Sequence, residues 1–122
     1  MAHYAVVNSN NIVTQVFVGR DEDDLVEGVD SWEDYYAGVF GEKVLRTSYN
    51  TFANVHVDPE TGYASDTQEK AFRGNYAAPG YSYDEGRDAF IAPRPMDDEE
   101  SSWEWDEDGL VWREIILNPP TE

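Results

Sequence analysis

The stretch Asn75-Tyr-Ala-Ala-Pro-Gly-Tyr-Ser-Tyr-Asp-Glu-Gly-Arg-Asp-Ala-Phe-Ile-Ala-Pro-Arg-Pro95, followed after an acidic spacer by Ser102-Trp-Glu-Trp-Asp-Glu-Asp-Gly-Leu-Val-Trp112, reads as two aromatic hairpins in tandem. Each is built as aromatic-x-aromatic, a turn holding Asp-Glu and glycine, and a returning aromatic: Tyr81 and Tyr83 answered by Phe90, Trp103 and Trp105 answered by Trp112. Strand alternation puts Tyr81 with Tyr83, and Trp103 with Trp105, on common faces. Cross-strand aromatic pairs stabilise hairpins by a few tenths to about 1 kcal/mol each. Pro79-Gly80 opens the first hairpin and Pro93-Arg94-Pro95 ends it, because proline cannot donate to a strand ladder. The pair forms a scaffold and a recognition surface, with no evident reaction centre.

Working outward, Tyr4 to Val7 and Ile12 to Val18 are apolar, β-branched runs around Asn8-Ser-Asn-Asn11, which predicts strands at 3–8 and 11–19 joined by an asparagine-rich turn. Ile12, Thr14, Val16 and Val18 share one face and Val13, Gln15 and Phe17 the other, so at least one face is expected to be covered. Ser31-Trp-Glu-Asp34 has capping-box spacing. Trp32, Tyr35, Tyr36, Val39 and Phe40 then form an aromatic stripe on a short helix ending at Gly41, expected to pack on the sheet. Lys43–Thr47 and Phe52–Val57 read as two strands around Ser48-Tyr-Asn50, with a turn at 58–62. Residues 65–74 are expected to form one or two helical turns with Ala71 and Phe72 inward. The last hairpin should run from Trp103 to Ile116 across Asp108-Gly109, leaving 118–122 as an extended tail.

At 122 residues the chain is of single-domain size and can bury roughly two-thirds of its unfolded surface. The expectation is one compact α+β domain over 1–117, dominated by antiparallel β-hairpins with one short aromatic helix. Its net charge of -18 is uneven: residues 21–41 carry -8, residues 97–122 carry -9, and residues 42–94 are nearly neutral at -2. Such a field argues against nucleic acid and anionic membranes, since phosphate contacts need clustered Lys and Arg. A basic protein surface, divalent cations or high salt would relieve the repulsion. There is no cysteine, hence no disulfide or thiolate site. No apolar run nears the roughly 20 residues of a membrane-spanning helix, and Met1-Ala-His-Tyr4 lacks the features of a secretory signal, so a soluble product made in the cytoplasm is expected.

Residues with chemistry are scattered. Asp106-x-Asp108-Gly109 fails the calcium-loop pattern, having Leu110 and Val111 where an oxygen ligand and a glycine belong. Asp21–Asp24 and Asp97–Glu100 are solvated loop acids or adventitious divalent sites. His3 and His56 lack metal-ligand spacing and read as strand residues. No nucleophile elbow, Walker motif or dinucleotide glycine motif is present, so neither catalysis nor a cofactor is expected. The aromatics Tyr76, Tyr81, Tyr83, Phe90, Trp103, Trp105 and Trp112 form the core of a small sheet, a partner-facing patch or an aromatic platform for glycans. In the second case Arg73, Arg87 and Arg94, in the neutral segment, would be its polar anchors, because Trp, Tyr and Arg dominate protein interfaces.

The order of motifs also resembles a family. His3-Tyr-Ala-Val-Val-Asn8, Asn11-Ile-Val-Thr-Gln-Val-Phe-Val18, Thr47-Ser-Tyr-Asn-Thr51, Arg73-Gly-Asn-Tyr-Ala77, Gly80-Tyr-Ser-Tyr-Asp-Glu-Gly-Arg-Asp-Ala-Phe-Ile91 and a tryptophan-containing end are similar to small virion structural proteins of tailed bacteriophages, marine and cyanobacterial ones above all. The resemblance runs from about residue 2 to residue 113. This chain departs from it at Asp97–Glu100, where a short Pro-Ser-Trp link is more usual. The resemblance implies a place in the virion more than a mechanism, and the expected function is that of a non-enzymatic accessory component: a capsid decoration or cement protein first, a tail- or fibre-associated receptor- or glycan-binding protein as the alternative. Its expected partners are the major capsid protein or another virion protein, and further copies of itself. Tyr76, Tyr81, Tyr83, Trp103 and Trp105 with the three arginines are the candidate docking residues.

Overall fold

The computed structural model describes residues 2–21, 23, 24, 26–65, 68 and 71–117. Its organising element is β1 (Ala2–Val7), which runs between β2 (Val13–Gly19) and β3 (Lys43–Thr47) in an antiparallel sheet of order β2-β1-β3. An apolar strand flanked on both sides must be covered on both faces, and both covers are present. Ala2, Tyr4 and Val6 point to one face, where they pack with Val44 and with Trp32, Tyr36 and Ala37 of the helix. Ala5 and Val7 point to the other, where Val13, Ala77 and Phe90 close over them.

The helix α1 (Trp32–Phe40) begins where Ser31 Oγ accepts from the Asp34 amide at 3.0 Å and ends at Gly41 in the left-handed region, both as the sequence predicts. Its aromatic stripe does not all turn inward. Trp32 is buried and Tyr36 packs on Tyr4 and Phe17, but Tyr35 and Val39 are 50% and 64% exposed and Phe40 only touches the rim, its ring 5.1 Å from Phe17. Residues 32, 36 and 37 take the sheet side together with Glu33, which is drawn there to accept from the Arg46 amide of β3 at 2.6 Å. The opposite flank rotates outward. The close approach of Tyr4 and Tyr36 explains Gly19, where a Cβ would lie 2.8 and 2.9 Å from their rings.

Two further expectations are corrected. The register of β2 slips between Val6 and Val7, so that Val6 faces Gln15 while Val7 faces Val13. This bulge puts Val13 on the same side as Val16, in the core opposite the helix, and simple alternation from Val18 backwards misplaces it. Phe52–Val57 is not one strand paired with β3. It is a tight hairpin, β4 (Thr51–Phe52) and β5 (Val55–His56), turning through Ala53 and Asn54, both at positive φ; two such residues in succession are what a type I′ turn requires. The partner of β3 is β1.

The second face is covered by the run from Ala71 to Ile91, mostly without regular structure until β6 (Ser82–Asp84) and β7 (Ala89–Ile91). Such a segment can lie against a core only if its backbone groups find partners. They find them in buried polar side chains: Thr47 Oγ1 accepts from the Ala77 amide at 2.9 Å and Thr51 Oγ1 from the Phe72 amide at 3.2 Å. Asn75 accepts from the Ala53 amide and donates to the carbonyls of Phe90 and Leu110, at 2.8, 2.9 and 2.8 Å, tying three hairpins at one amide. Gly74 beside it sits at φ 76, where a Cβ would come within 3.0 Å of Leu110. The first hairpin is then hooked onto the sheet where Val13 exchanges backbone hydrogen bonds with Tyr81 and Gly80.

The second aromatic hairpin, β8 (Ser101–Asp106) and β9 (Val111–Ile116), pairs Trp105 with Trp112 across the strands. The architecture is thus α+β and mostly β: several small antiparallel sheets and one short helix. No described helix is long and apolar enough to cross a membrane. The helical turns expected at 65–74 fall partly on residues 66, 67, 69 and 70, and the extended tail on 118–122, all outside the described residues; Ala71 to Gly74 are not helical, although Ala71 and Phe72 are half-buried as expected.

Candidate functional site

Arg73 is the first of the expected docking residues, and the fold takes it inside. Its backbone adopts φ 51, and its side chain, 13% exposed, lies against Phe72 with the guanidinium carbon 4.7 Å from the ring centre. Nη1 donates to Glu33 at 2.7 Å and to the Arg46 carbonyl at 2.8 Å, while Nε donates to Asp88 at 3.0 Å. Burial alone would lower its pKa, but the Glu33 and Asp88 carboxylates outweigh it and raise the value. Glu33 and Arg73 together meet both the N–H and the C=O of Arg46, as a neighbouring strand would. The outer edge of β3 is closed there by an ion pair.

Tyr83 joins the same cluster. Its ring packs on Phe90 and its hydroxyl donates to Asp88, so burial and that hydrogen bond push its pKa up to about 12. Tyr81 is half-buried against the core below Val13. Tyr76 is elsewhere, in a trio with His3 and Tyr49: the His3 and Tyr49 rings stack at 5.5 Å and Tyr76 meets both edge-on. Burial lowers the pKa of His3 and raises that of Tyr76. Ala2, His3, Arg46, Thr47, Ser48, Tyr49 and Asn50 line a recess of about 260 Å³ there, with Tyr49 60% exposed at its mouth.

Arg87, Arg94, Trp103 and Trp105 belong to the last hairpin and its attachment. Arg87 donates to Asp84 and, through Nε, to both oxygens of Glu107, with its guanidinium over Trp105 at 5.6 Å. Trp105 Nε1 donates to the same Glu107 at 2.6 Å. The bonds from Arg87 and then from Trp105 hold the Glu107 carboxyl below its usual range, and Arg87 does the same to Asp84. Arg113 and the Gly109 amide depress Asp106. Arg94 reaches Asp97 and the Trp103 carbonyl and lies over Trp112, whose Nε1 donates to Ala92. The turn end of the hairpin is therefore fastened to the body, through Leu110 on Asn75 and Arg87 on Glu107.

Its open end carries exposed apolar side chains. Ile115, Ile116 and Leu117 are 38%, 49% and 50% exposed, and Met96 on the adjoining segment is 90% exposed. Carboxylates stand close to them in the chain: Asp97, Asp98, Glu99 and Glu100 follow Met96, and Glu114 precedes Ile115. Among the described residues β8 and β9 pair only with each other. The expected arginine anchors are thus engaged within the chain, and the apolar end of the hairpin, which sequence patterning had not singled out, is an exposed feature of its surface.

The acidic clusters are turned to local partners. Asp24 takes Arg20, Asp97 takes Arg94, and Asp98 accepts from the Glu100 and Ser101 amides. Among the described residues no three of His, Asp and Glu converge as a metal site would require. His56, on β5, has Nδ1 2.6 Å from Ser65 Oγ, and this contact closes the chain reversal between them, where the Ser65 amide also donates to the His56 carbonyl. Comparison with protein-family models, with curated proteins and with solved structures finds no match.

Proposed function

We propose that this chain is a non-enzymatic accessory component of a phage particle, one that decorates or cements the capsid shell by docking on the major capsid protein or another virion protein. The observation that carries the reading is the open end of the β8–β9 hairpin, where Met96, Ile115, Ile116 and Leu117 lie exposed in a part of the chain rich in Asp and Glu. Exposed apolar side chains rimmed by charge are the composition of a docking surface. The resemblance of the sequence to virion proteins supplies the setting. The acidic stretch selects a partner whose own apolar spot is rimmed by Lys and Arg, and the overall charge of -18 disfavours nucleic acid as that partner.

The test is copy number on purified particles of the phage that encodes the chain. Ile115→Asp with Leu117→Asp should leave the body folded and strip the protein from particles, and added salt should release the wild type. Absence of the wild-type chain from particles would end the proposal.

A second function, glycan binding on a tail or fibre, is favoured by the Tyr49 recess, which combines an exposed aromatic face with the polar groups of Arg46, Ser48 and Asn50. On that reading Tyr49→Ala abolishes binding to host-surface polysaccharide and leaves particle occupancy intact.

A further inference from the structure

The strand β2 lies at one edge of the main sheet, and its outer side carries a different chemistry from the rest of the surface. At its start the edge is occupied, because Val13 exchanges hydrogen bonds with Tyr81 and Gly80. Beyond that point, from Thr14 to Gly19, no strand pairs with it on that side among the described residues. The direction of its backbone groups follows from the sheet. Arg46 turns its N–H and C=O away from β1, toward Glu33 and Arg73, so its partner Tyr4 turns its own toward Phe17 of β2. Antiparallel ladders alternate, which leaves the N–H and C=O of Val16 and Val18 pointing outward; the Arg20 amide, two residues on, also points outward, to the Tyr36 hydroxyl.

In a chain of net charge -18, Ile12 to Gly19 contain no charged residue. Natural edge strands are blunted with lysine, proline or inward charge; the bulge and the Tyr81 hook protect only the start of this one. Apolar side chains flank its free part on both faces. Val18 is 53% exposed on one, and on the other Phe17 meets Phe40, itself 39% exposed, with Val39 next to it in the helix at 64%.

We propose that this edge is a self-association seam, paired antiparallel with β2 of a second copy about a two-fold axis through Phe17. The free segment from Gln15 to Gly19 is symmetric about that residue: Val16 of one copy faces Val18 of the other, each pair exchanging both backbone hydrogen bonds, and Phe17 lies beside Phe17 with Phe40 close by. Charge selects the occupant. A basic partner would find no carboxylate along this strand to recognise, whereas a second copy meets no like charge in the paired residues until Arg20, which lies opposite Thr14. The seam is separate from the hairpin end proposed above to meet another protein, and salt tells the two apart. Screening weakens a contact between opposite charges and strengthens one between two chains of -18.

The experiment is sedimentation equilibrium of the full chain over a range of concentrations and salt, with amide hydrogen exchange read at Val16 and Val18. A mass of two chains is expected, falling toward one on dilution and held more tightly as salt rises, with protection of the two amides lost in parallel. Val18→Glu sets a new carboxylate in each half of the seam and should weaken the dimer by about tenfold or more. Val18→Pro removes an outward N–H that the β1 ladder does not use and should do the same. Tyr63→Glu, on a residue that is 78% exposed and outside the seam, should change nothing. A chain that stays monomeric to millimolar concentration, or a dimer whose mass and amide protection survive both Val18 variants, would overturn the proposal. Should Val18→Pro disturb the fold, Val18→Glu decides alone.

Discussion

The two aromatic hairpins begin from the same pattern and end in different roles. The first, β6–β7, delivers Phe90 into the core at 0% exposure and is stitched to Val13 by backbone hydrogen bonds. The second, β8–β9, keeps Trp103, Trp105 and Trp112 half-buried, and of its residues only Gly109, in the turn, is buried. What separates them is what they lie against. The first sits on the apolar face of β1, while the second touches the body at its turn and holds its own tryptophans together with Arg87, Arg94 and Glu107. Aromatic content makes a hairpin; a facing apolar surface makes it core.

The largest effect that could break this contrast is truncation in each hairpin. Phe90→Ala should cost about 3–5 kcal/mol, whereas Trp105→Ala, which gives up a half-buried ring, its pairing with Trp112 and its bond to Glu107, should cost less, about 0.5–3 kcal/mol. Denaturant midpoints measure both, and equal losses would show the second hairpin to be core as well.

Next in size is Arg73, which joins the first hairpin to the helix and to β3. Arg73→Ala takes a charged donor from Glu33, Asp88 and the Arg46 carbonyl and should cost about 1.5–3 kcal/mol. Arg73→Lys should restore little of it, since a single ammonium cannot reproduce a fork that serves three acceptors. Full recovery with lysine would mean that charge alone matters there.

The smallest effects are titrations, and they divide by region. Asp84, Asp106 and Glu107 have depressed pKa values, so their contribution is present above the ordinary carboxylate range and is lost as pH falls through the depressed values. Below about pH 4 the indole signals of Trp105 and Trp112 should shift before that of Trp32. Tyr83 behaves in the opposite sense. Its raised value favours the protonated phenol in the fold, so stability is full below pH 10 and falls as pH rises toward about 12; Tyr83→Phe should remove that alkaline fall. Simultaneous movement of all indole signals in acid would argue that the hairpin and body unfold as one unit.

Much of this fold is legible in the sequence because its signals are local. Ser31 and Gly41 bound the helix as their chemistry dictates, β3 spans Lys43–Thr47 as read, and both aromatic hairpins form around their Asp-Glu turns. What was hidden depends on distant partners. The slip at Val6 and Val7 has no signature in an alternating strand, and the outward turn of Tyr35 and Val39 follows from the demand of Arg46 for Glu33. Ala53 and Asn54 turn through positive φ with no glycine to announce it. The candidate site shows the same division. Arg73, Arg87 and Arg94 are the interface-type residues of the neutral segment, but acids from residues 33, 84, 88, 97 and 107 reach them first. Composition records which charges a chain carries and is silent on which of them meet. Asn75, whose amide ties three hairpins, stands inside a quoted motif without any local sign of its reach.

The ion pair of Glu33 and Arg73 on the rim of β3 has a bearing on how many copies can join. A sheet with two open rims adds strands at both and grows into a ribbon of indefinite length. Here the rim at Arg46 already holds its acceptor and donor in side-chain form, so the pairing proposed at β2 would use the uncharged rim and stop at a six-stranded sheet across two molecules. Loss of either member of that ion pair would reopen the opposite rim, and the expected symptom is fibres, with a finite particle count giving way to open-ended polymer.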